Sequence, residues 1–353
     1  MGRKPTAVPA ANPTIDDLDV LQHELGNVVH GVACIAGLLR ESGLDARQRR
    51  WLATIDQACG QISGIVEHAR RRRLNPADPP RTVRLNGVAL LEDTLLAHAP
   101  AAAGAGVDLM LRVAPALPAY WRSDPCLLRQ LLDNLVSNAV RYARNGSVRL
   151  EASPAPDAGG TLVIRVLDSG PGVEDLERLF EPRWRGVAGC DGPPGDGLGL
   201  YICRAIVETL GGSIRCRNRH AGGACFEVRL PGALPDDVCN WPPLRALGGV
   251  ACRLELDSDR ADCVGALLTR LGVAWRPGRS AVADAPRAEL YCVVRRAGRG
   301  PGAASGLMIL VEHPRSAVPP VHVPAPVLES SLESALYRLL LEGRGAIPRE
   351  ARG

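Results

Sequence analysis

Between Pro79 and Pro231 the chain alternates short β-like runs with helical runs. The β-like runs are rich in β-branched residues, whereas the helical runs carry apolar residues three and four positions apart. The predicted strands are Val107–Val113, Ser147–Ala152, Leu162–Leu167, Gly212–Cys216 and Cys225–Leu230. The predicted helices are Val88–Ala99, Pro125–Ala143 and Leu198–Leu210. This alternation predicts an α/β sandwich.

Upstream of this region the sequence predicts two long amphipathic helices. From Ile15 to Ser42 apolar residues recur at helical spacing, and Ser42-Gly43 ends the first helix. Asp45 is a suitable N-cap for the second helix, which Asn75-Pro76 ends. A single hairpin leaves half of its apolar stripe in water, so we expect two copies to pair into a four-helix bundle and the protein to be a homodimer.

Downstream, a third region predicts a small α/β domain with a parallel sheet. Its strand-like runs are Val250–Leu256, Leu290–Val294 and Leu307–Val311, and its helical runs are Ala261–Leu271 and Ser331–Leu341. The fold class is therefore α+β. The predicted parts are a flexible tail over 1–13, the hairpin over 14–76, the sandwich over 77–232, a linker over 233–243 and the third domain over 244–353.

Composition limits the compartment and the partners. No run approaches the roughly 18–20 apolar residues that would cross a bilayer, and Met1–Pro13 does not resemble a signal peptide. The 11 cysteines are odd in number and form no CxxC pair, which favours buried thiols in a reducing compartment. The net charge of +4 is mild, and Arg70–Arg73 are interpreted as a solvated helix end. We therefore expect a cytoplasmic protein without a membrane span or a nucleic-acid partner.

Two segments of the sandwich region carry side chains suited to a phosphorylated, flat ligand. Asn134 and Asn138 share one face of a predicted helix and can approach a metal ion and phosphates together. Asp168, Gly170 and Gly172 follow a predicted strand. The glycines let the backbone pass close to a ligand, and the carboxylate can accept a hydrogen bond from an exocyclic amine such as that of adenine.

Two further segments are rich in glycine. Gly195, Gly197, Leu198 and Gly199 lead into a predicted helix, where free backbone N–H groups favour phosphate. The segment Gly222-Gly-Ala-Cys-Phe226 leads into a predicted strand. A single glycine-rich segment is weak support for a site, since such runs also occur in plain turns.

The order and spacing of the segments are more specific. They resemble the N box, first glycine box, F box and second glycine box of the histidine-kinase ATP-binding domain, at 134–138, 168–172, 180–185 and 195–200. That domain belongs to the superfamily shared with gyrase, heat-shock chaperone and mismatch-repair ATPases. Upstream, His23-Glu24-Leu25-Gly26-Asn27 is similar to the family's phosphoacceptor box. The resemblance covers about residues 15 to 231.

The resemblance implies ATP and Mg²⁺ as cofactors and a role for each residue of the phosphoacceptor box. His23 would be the nucleophile, and Glu24 would orient it or take its proton. Asn27 falls where the family orients water to dephosphorylate the partner response regulator, so a phosphatase mode is compatible with the sequence. Gly26 and Val28 replace the usual arginine and proline, which leaves the balance between kinase and phosphatase open.

In the ATP-binding domain, the resemblance implies that Asp168 recognises adenine and that Asn138 holds Mg²⁺. Arg141 or Tyr142 would contact phosphate or the ATP lid, which spans Arg183–Asp196. The related ATPases carry a glutamate at the position of Asn134. Because the amide at this position cannot deprotonate water, ATP should persist until His23 attacks it.

The third domain resembles a receiver without the residues that take phosphate. The acidic pair falls near Glu255 and Leu256, with Asp257 as a substitute, and the phosphoacceptor position falls on Val294. Pro324-Ala-Pro326 resembles the family's Lys-Pro turn without its lysine. The sequence predicts a degenerate receiver that regulates without accepting phosphate, with an unrelated α/β appendage as the alternative.

We therefore expect a soluble sensor histidine kinase that passes phosphate to the aspartate of a response regulator receiver domain. No sensory domain is expected before Asp16, so the signal would enter through the third domain, a separate sensory protein or the bundle. Two alternatives stand beside this expectation. One is an ATP-binding scaffold or pseudokinase that regulates a partner by contact, and the other is an ATP-hydrolysing clamp, which Asn134 disfavours.

Overall fold

The computed structural model describes two compact units, Met1–Pro79 and Pro80–Gly353. The described residues are 82–156, 160–182, 184, 198–234, 250–278, 290–296, 306–311, 321–328, 330–336 and 339, with scattered positions between 32 and 55. No helix within these ranges is both long and apolar enough to cross a bilayer.

The first unit contains the predicted start of the second hairpin helix. The Gln48 amide donates to Asp45 Oδ1 at 2.8 Å, and the Asp45 amide donates to Gln48 Oε1 at 2.9 Å. This reciprocal pair is a capping box, which confirms Asp45 as the N-cap. Ser42, at the predicted end of the first helix, donates its hydroxyl to Leu39 O at 2.6 Å. Most other hairpin positions, including Asn75-Pro76, lie outside the described residues.

The second unit begins with the sandwich. In chain order its elements are β1 (Val83–Asn86), α1 (Gly87–Gly104), β2 (Asp108–Val113), β3 (Tyr120–Ser123), α2 (Pro125–Tyr142), β4 (Ser147–Pro154), β5 (Leu162–Asp168), α3 (Gly199–Thr209), β6 (Ser213–Asn218) and β7 (Ala224–Leu230). Strands β1 and β3 form an antiparallel ribbon, and the other five form a sheet in the order β2-β4-β5-β7-β6. The five predicted strands and three predicted helices are confirmed.

Two short elements were not predicted. Strands β1 and β3 each have four residues; β1 alternates half-buried with exposed positions and β3 alternates exposed with buried ones, so their apolar signal is weak. The ribbon is fixed by Trp121, which is fully buried against Gly87. Helix α1 also continues past Pro100, where the prediction ended it. Proline removes one helical hydrogen bond, but the alanines that follow are strong helix formers.

Strands and helices share one core. Strand β5 lies in the middle of the sheet and buries nearly every side chain. Helix α2 starts at the buried N-cap Asp124, which accepts hydrogen bonds from the amides of Cys126 and Leu127. Its leucine-rich face is buried, which leaves the opposite face for polar side chains.

The third domain carries a second five-stranded sheet. Its elements are β8 (Val250–Glu255), α4 (Ser258–Arg270), β9 (Ala274–Pro277), β10 (Leu290–Arg296), β11 (Gly306–Val311) and β12 (Val321–Pro324), and residues 330–336 are helical. The strand order β9-β8-β10-β11-β12 is that of a doubly wound sheet. The prediction of a parallel sheet is wrong for β11, which is antiparallel to both neighbours. The connection from Arg296 to Gly306 is shorter than the dozen or so residues of a parallel crossover, so the chain returns as a hairpin.

The receiver-like acidic positions are used in the fold. Asp257 is the N-cap of α4, where it accepts a hydrogen bond from the Arg260 amide and pairs with the Arg260 guanidinium. Glu255 pairs with Arg253 at 3.4 Å. Val294 is fully buried in β10. None of these side chains is an unengaged carboxylate that could accept phosphate.

The third domain packs against the sandwich through α4 and the segment after β12. Arg270 Nη1 donates to Leu117 O at 2.6 Å and to Ala114 O at 3.3 Å. Arg260 pairs with Asp108 at the start of β2. Three more links join Arg149 to Asp259, Glu92 to the Ser330 amide, and Met110 to Val327. The two sheets therefore belong to one compact unit.

Candidate nucleotide-binding site

Asp168 ends β5 and is nearly fully buried. Its Oδ1 accepts hydrogen bonds from the Gly170 amide at 2.8 Å and from the Ala224 amide at 3.2 Å. Among the residues that the structure describes, no hydrogen bond reaches Oδ2. The second oxygen can therefore accept a hydrogen bond from a ligand.

Burial raises the pKa of Asp168, because desolvation disfavours the charged carboxylate. The two amide hydrogen bonds and the positive charge of Arg219 act in the opposite direction but do not cancel this effect. The carboxylate is thus held in a partly apolar site, where one hydrogen bond to a ligand is stronger than it would be in water.

The glycines after Asp168 are required by space and backbone geometry. A Cβ at Gly170 would lie 2.9 Å from Asp168 Oδ1 and 3.0 Å from the Tyr142 carbonyl oxygen. Gly172 has φ of +85°, which side chains other than glycine rarely adopt. The segment therefore exposes backbone at close range, as expected for contact with a flat ligand.

Helix α2 places Asn134 and Asn138 one turn apart on its polar face, and both are half-buried. The Asn134 amide nitrogen is buried without a conventional hydrogen bond among the described atoms, and it interacts with the Cys203 thiol. Arg141 is half-buried and Tyr142 is 47% exposed at the end of the helix. Because the Tyr142 carbonyl lies against Gly170, this end of α2 meets the segment that follows Asp168.

Helix α3 lies beside α2, and its start belongs to the second glycine box. Leu198 provides no side-chain cap, and a Cβ at Gly199 would meet no atom within 4 Å. Among the described residues no side chain caps the first turn of α3, so its amides can donate to an anion. Cys203 packs against α2, and burial raises the pKa of its thiol. Gly195 and Gly197, like His23, Glu24 and Asn27, lie outside the described residues.

Sequence reasoning assigned no role to the turn between β6 and β7, although it noted the glycines there. Arg219 Nη1 donates to the backbone oxygen of Asp168 at 2.7 Å. A Cβ at Gly223 would lie 1.9 Å from the same oxygen. Asn218 bonds to Val173 through both side-chain polar atoms. The Gly222-Gly223 pair was the signal that could have indicated this contact.

The side chains fit ATP, and they fit Mg²⁺ only as a partner of bound phosphates. An acceptor at Asp168 Oδ2 and crowded backbone at Gly170 suit an adenine ring. In the described part of the chain no group of three His, Cys, Asp or Glu side chains could hold a metal. Asn138 can supply one amide oxygen, which suits Mg²⁺ because this ion is usually held by few protein ligands together with phosphates and water.

Comparison with known proteins matches residues 123–234 to the family described as histidine kinase-, DNA gyrase B-, and HSP90-like ATPase. The sensor histidine kinase AruS of Pseudomonas aeruginosa is 33% identical over 251 residues, which cover 68% of this chain and 25% of AruS. The signal transduction histidine-protein kinase BarA of Shigella flexneri is 27% identical over 299 residues, covering 80% of this chain and 32% of BarA. The chain therefore spans about a quarter to a third of the length of these relatives.

A crystal structure of full-length ShkA in complex with AMPPNP has a similar fold. The TM-score is 0.57 at 24% identity, and the match covers 77% of this chain and 57% of that chain. At this identity the likeness concerns the fold alone.

Proposed function

Since residues 123–234 belong to the histidine kinase-, DNA gyrase B- and HSP90-like ATPase family, and the similarity to sensor histidine kinases extends over 68% of the chain, we propose that the protein is a histidine autokinase. It transfers the γ-phosphoryl group of ATP to His23 and then to an aspartate in the receiver domain of a response regulator. The observation that carries this proposal is the buried Asp168 carboxylate beside the crowded backbone at Gly170.

ATP is the substrate, and its adenine amine donates to Asp168 Oδ2. The phosphates extend along α2 towards Asn138 and the first turn of α3, with Arg141 or Tyr142 as further contacts. Gly172, Gly195, Gly197, Leu198 and Gly199 belong to the glycine boxes that surround the nucleotide. Asn138 would hold Mg²⁺ together with the phosphates, and the ion would supply positive charge that offsets the negative charge of the transferring group.

Asn134 explains why the phosphoryl group goes to a histidine and not to water. An amide cannot take a proton from water at neutral pH, and no acidic residue lies between Asn134 and Asn138. Asn134 therefore cannot act as a base towards water. ATP hydrolysis in the site should be slow.

His23 is the acceptor of the phosphoryl group. Its neutral imidazole nitrogen attacks the γ-phosphorus, the bond from that phosphorus to the ADP oxygen breaks, and Glu24 takes the imidazole proton. Asn27 orients water when the same hairpin dephosphorylates the response regulator. The support for these roles is the sequence His23-Glu24-Leu-Gly-Asn27.

The partners follow from the same reading. Val32, Ile35, Leu39 and Ile55 in the first unit are each at least 40% exposed in the single chain. A second copy would cover these side chains, so we infer a homodimer. We also infer that the third domain regulates the kinase from its position against β2 and α1 without taking phosphate.

A scaffold that binds ATP without phosphorylating histidine is the second candidate, because Gly26 and Val28 depart from the phosphoacceptor box. Incubation of the purified chain with γ-labelled ATP separates the candidates. Acid-labile label on the wild type and none on His23→Gln supports the kinase. Free phosphate without protein label supports an ATPase, and nucleotide binding without either product supports the scaffold.

A further inference from the structure

The turn between β6 and β7 holds both ends of the segment Asp168–Val173, which we call the glycine segment. At its first residue, the Asp168 carboxylate accepts from the Ala224 amide and the Asp168 carbonyl accepts from Arg219. At its last residue, Val173 is bound by Asn218. The ligand-facing backbone thus lies between two fixed points on another part of the chain.

Asn218 makes an unusual pair of bonds. Its Oδ1 accepts from the Val173 amide at 2.8 Å, and its Nδ2 donates to the Val173 carbonyl at 2.8 Å. One side-chain amide therefore satisfies both polar groups of one backbone residue, as a neighbouring strand would. Only an Asn or Gln side chain offers a donor and an acceptor side by side.

Gly172, which precedes Val173, also lies close to the Asn218 side chain. A Cβ at Gly172 would lie 2.9 Å from Asn218 Oδ1, so the amide lies directly against the glycine segment. Asn218 itself is exposed and ends an edge strand of the sheet. Its two bonds therefore contribute little to the core, and their effect falls on the local order of the segment that they hold.

We propose that Asn218 is a positioning residue for nucleotide binding, which keeps the glycine segment in the conformation that receives adenine. The inference rests on the proposed function, because it assigns the segment to ATP. Without the two hydrogen bonds from Asn218 the glycine segment samples other conformations, and ATP binds only the fraction that has the conformation described here. Loss of two hydrogen bonds of ordinary strength should weaken ATP binding about tenfold.

The test compares Asn218→Ala with Arg215→Ala in the full chain. Arg215 is exposed on the same strand and is a matched control for loss of a polar side chain. We expect Asn218→Ala to raise the Kd and KM for Mg-ATP about tenfold, while the autophosphorylation rate at saturating ATP stays within twofold of wild type. Hydrogen exchange at the Val173 amide should rise in Asn218→Ala and not in the control.

Two results would overturn the role of Asn218. One is an unchanged Kd for ATP, and the other is a lower rate at saturating ATP with an unchanged KM, which indicates partial unfolding. If Asn218→Ala does not fold, Asn218→Ser retains one hydrogen-bonding group and should raise the Kd about threefold. Failure of the wild type to bind ATP would instead overturn the proposed function, and this inference with it.

Discussion

The carboxylate of Asp168 accepts a hydrogen bond from the backbone amide of Ala224 at 3.2 Å, although 56 positions separate the two residues. The contact joins the end of β5 to the start of β7, which pair side by side in the sheet. The candidate adenine pocket is therefore built by two segments that only the sheet brings together. The affinity of this pocket for a nucleotide should therefore depend on the contacts between the two segments.

Replacement of Asp168 by Asn should abolish most of the affinity for ATP. The change leaves the volume almost the same but removes the charged acceptor, and hydrogen bonds to charged groups are worth about 1.5–3 kcal/mol. We expect the Kd for ATP to rise about 10- to 100-fold, measured by titration with a fluorescent nucleotide. Glu174→Gln, an exposed carboxylate in the same loop, should change the Kd by less than about twofold.

ATP binding should weaken on acidification at a higher pH than an ordinary aspartate would allow. Burial raises the pKa of Asp168, so the carboxylate takes up its proton early as the pH falls. The affinity should therefore begin to decline at a higher pH than it would for an ordinary aspartate, and part of this decline should be absent in Asp168→Asn. Equal pH profiles for the two proteins would contradict the assignment.

The same group predicts the sign of a stability change. Because its folded pKa is raised, the native state binds this proton more tightly than the unfolded chain does. Asp168 therefore adds to stability as the pH falls through the raised pKa towards the ordinary value, and its buried charge lowers stability above that range. We expect urea denaturation to show that the unfolding free energy of the wild type increases, relative to that of Asp168→Asn, as the pH falls through this range.

Gly222 and Gly223 form a matched pair for testing the contact with Asp168. Both have positive φ, at +87° and +89°, so alanine strains the backbone at either position by about 1–2 kcal/mol. Only at Gly223 would the new Cβ meet the Asp168 carbonyl oxygen, at 1.9 Å. Gly223→Ala should lower the melting temperature more than Gly222→Ala and should raise the Kd for ATP, whereas equal effects would show that this approach is unimportant.

The contact between the third domain and the sandwich should contribute to stability. Arg270→Ala removes two hydrogen bonds to the carbonyls of Ala114 and Leu117 and should lower the free energy of unfolding by about 1–3 kcal/mol. Arg204→Ala is the control, because it removes only an exposed pair with Glu208 that is worth about 0.5 kcal/mol or less. If chemical denaturation gave the same value for both variants, the Arg270 contact would not contribute to stability.

Much of the sandwich could be predicted because its signals are local. Helix α2 has an N-cap, an apolar face and a polar face within eighteen residues, and each long strand has its own apolar pattern. The resemblance to sensor histidine kinases, taken from the order of the boxes, is confirmed by the family match and by the named relatives. Predictions of this kind depend only on neighbouring residues.

The contacts that fix the site could not be predicted in this way. Asn218 and Val173, which form two hydrogen bonds, are 45 positions apart in the sequence. No spacing rule connects an edge strand to the end of a glycine box. The direction of β11 was missed for a related reason, since an apolar run is the same whichever way the strand runs. Asp257 looked like a candidate acidic-site residue, but the N-cap of α4 uses it.

The most direct test of the account is to locate the phosphate. The full chain is incubated with Mg-ATP and digested at a pH that preserves phosphohistidine, and the peptides are sequenced by tandem mass spectrometry. The account predicts phosphate on His23, none at the other histidines such as His30, and a strongly reduced yield in Asp168→Asn. Phosphate on a different residue, or an undiminished yield in Asp168→Asn, would contradict it.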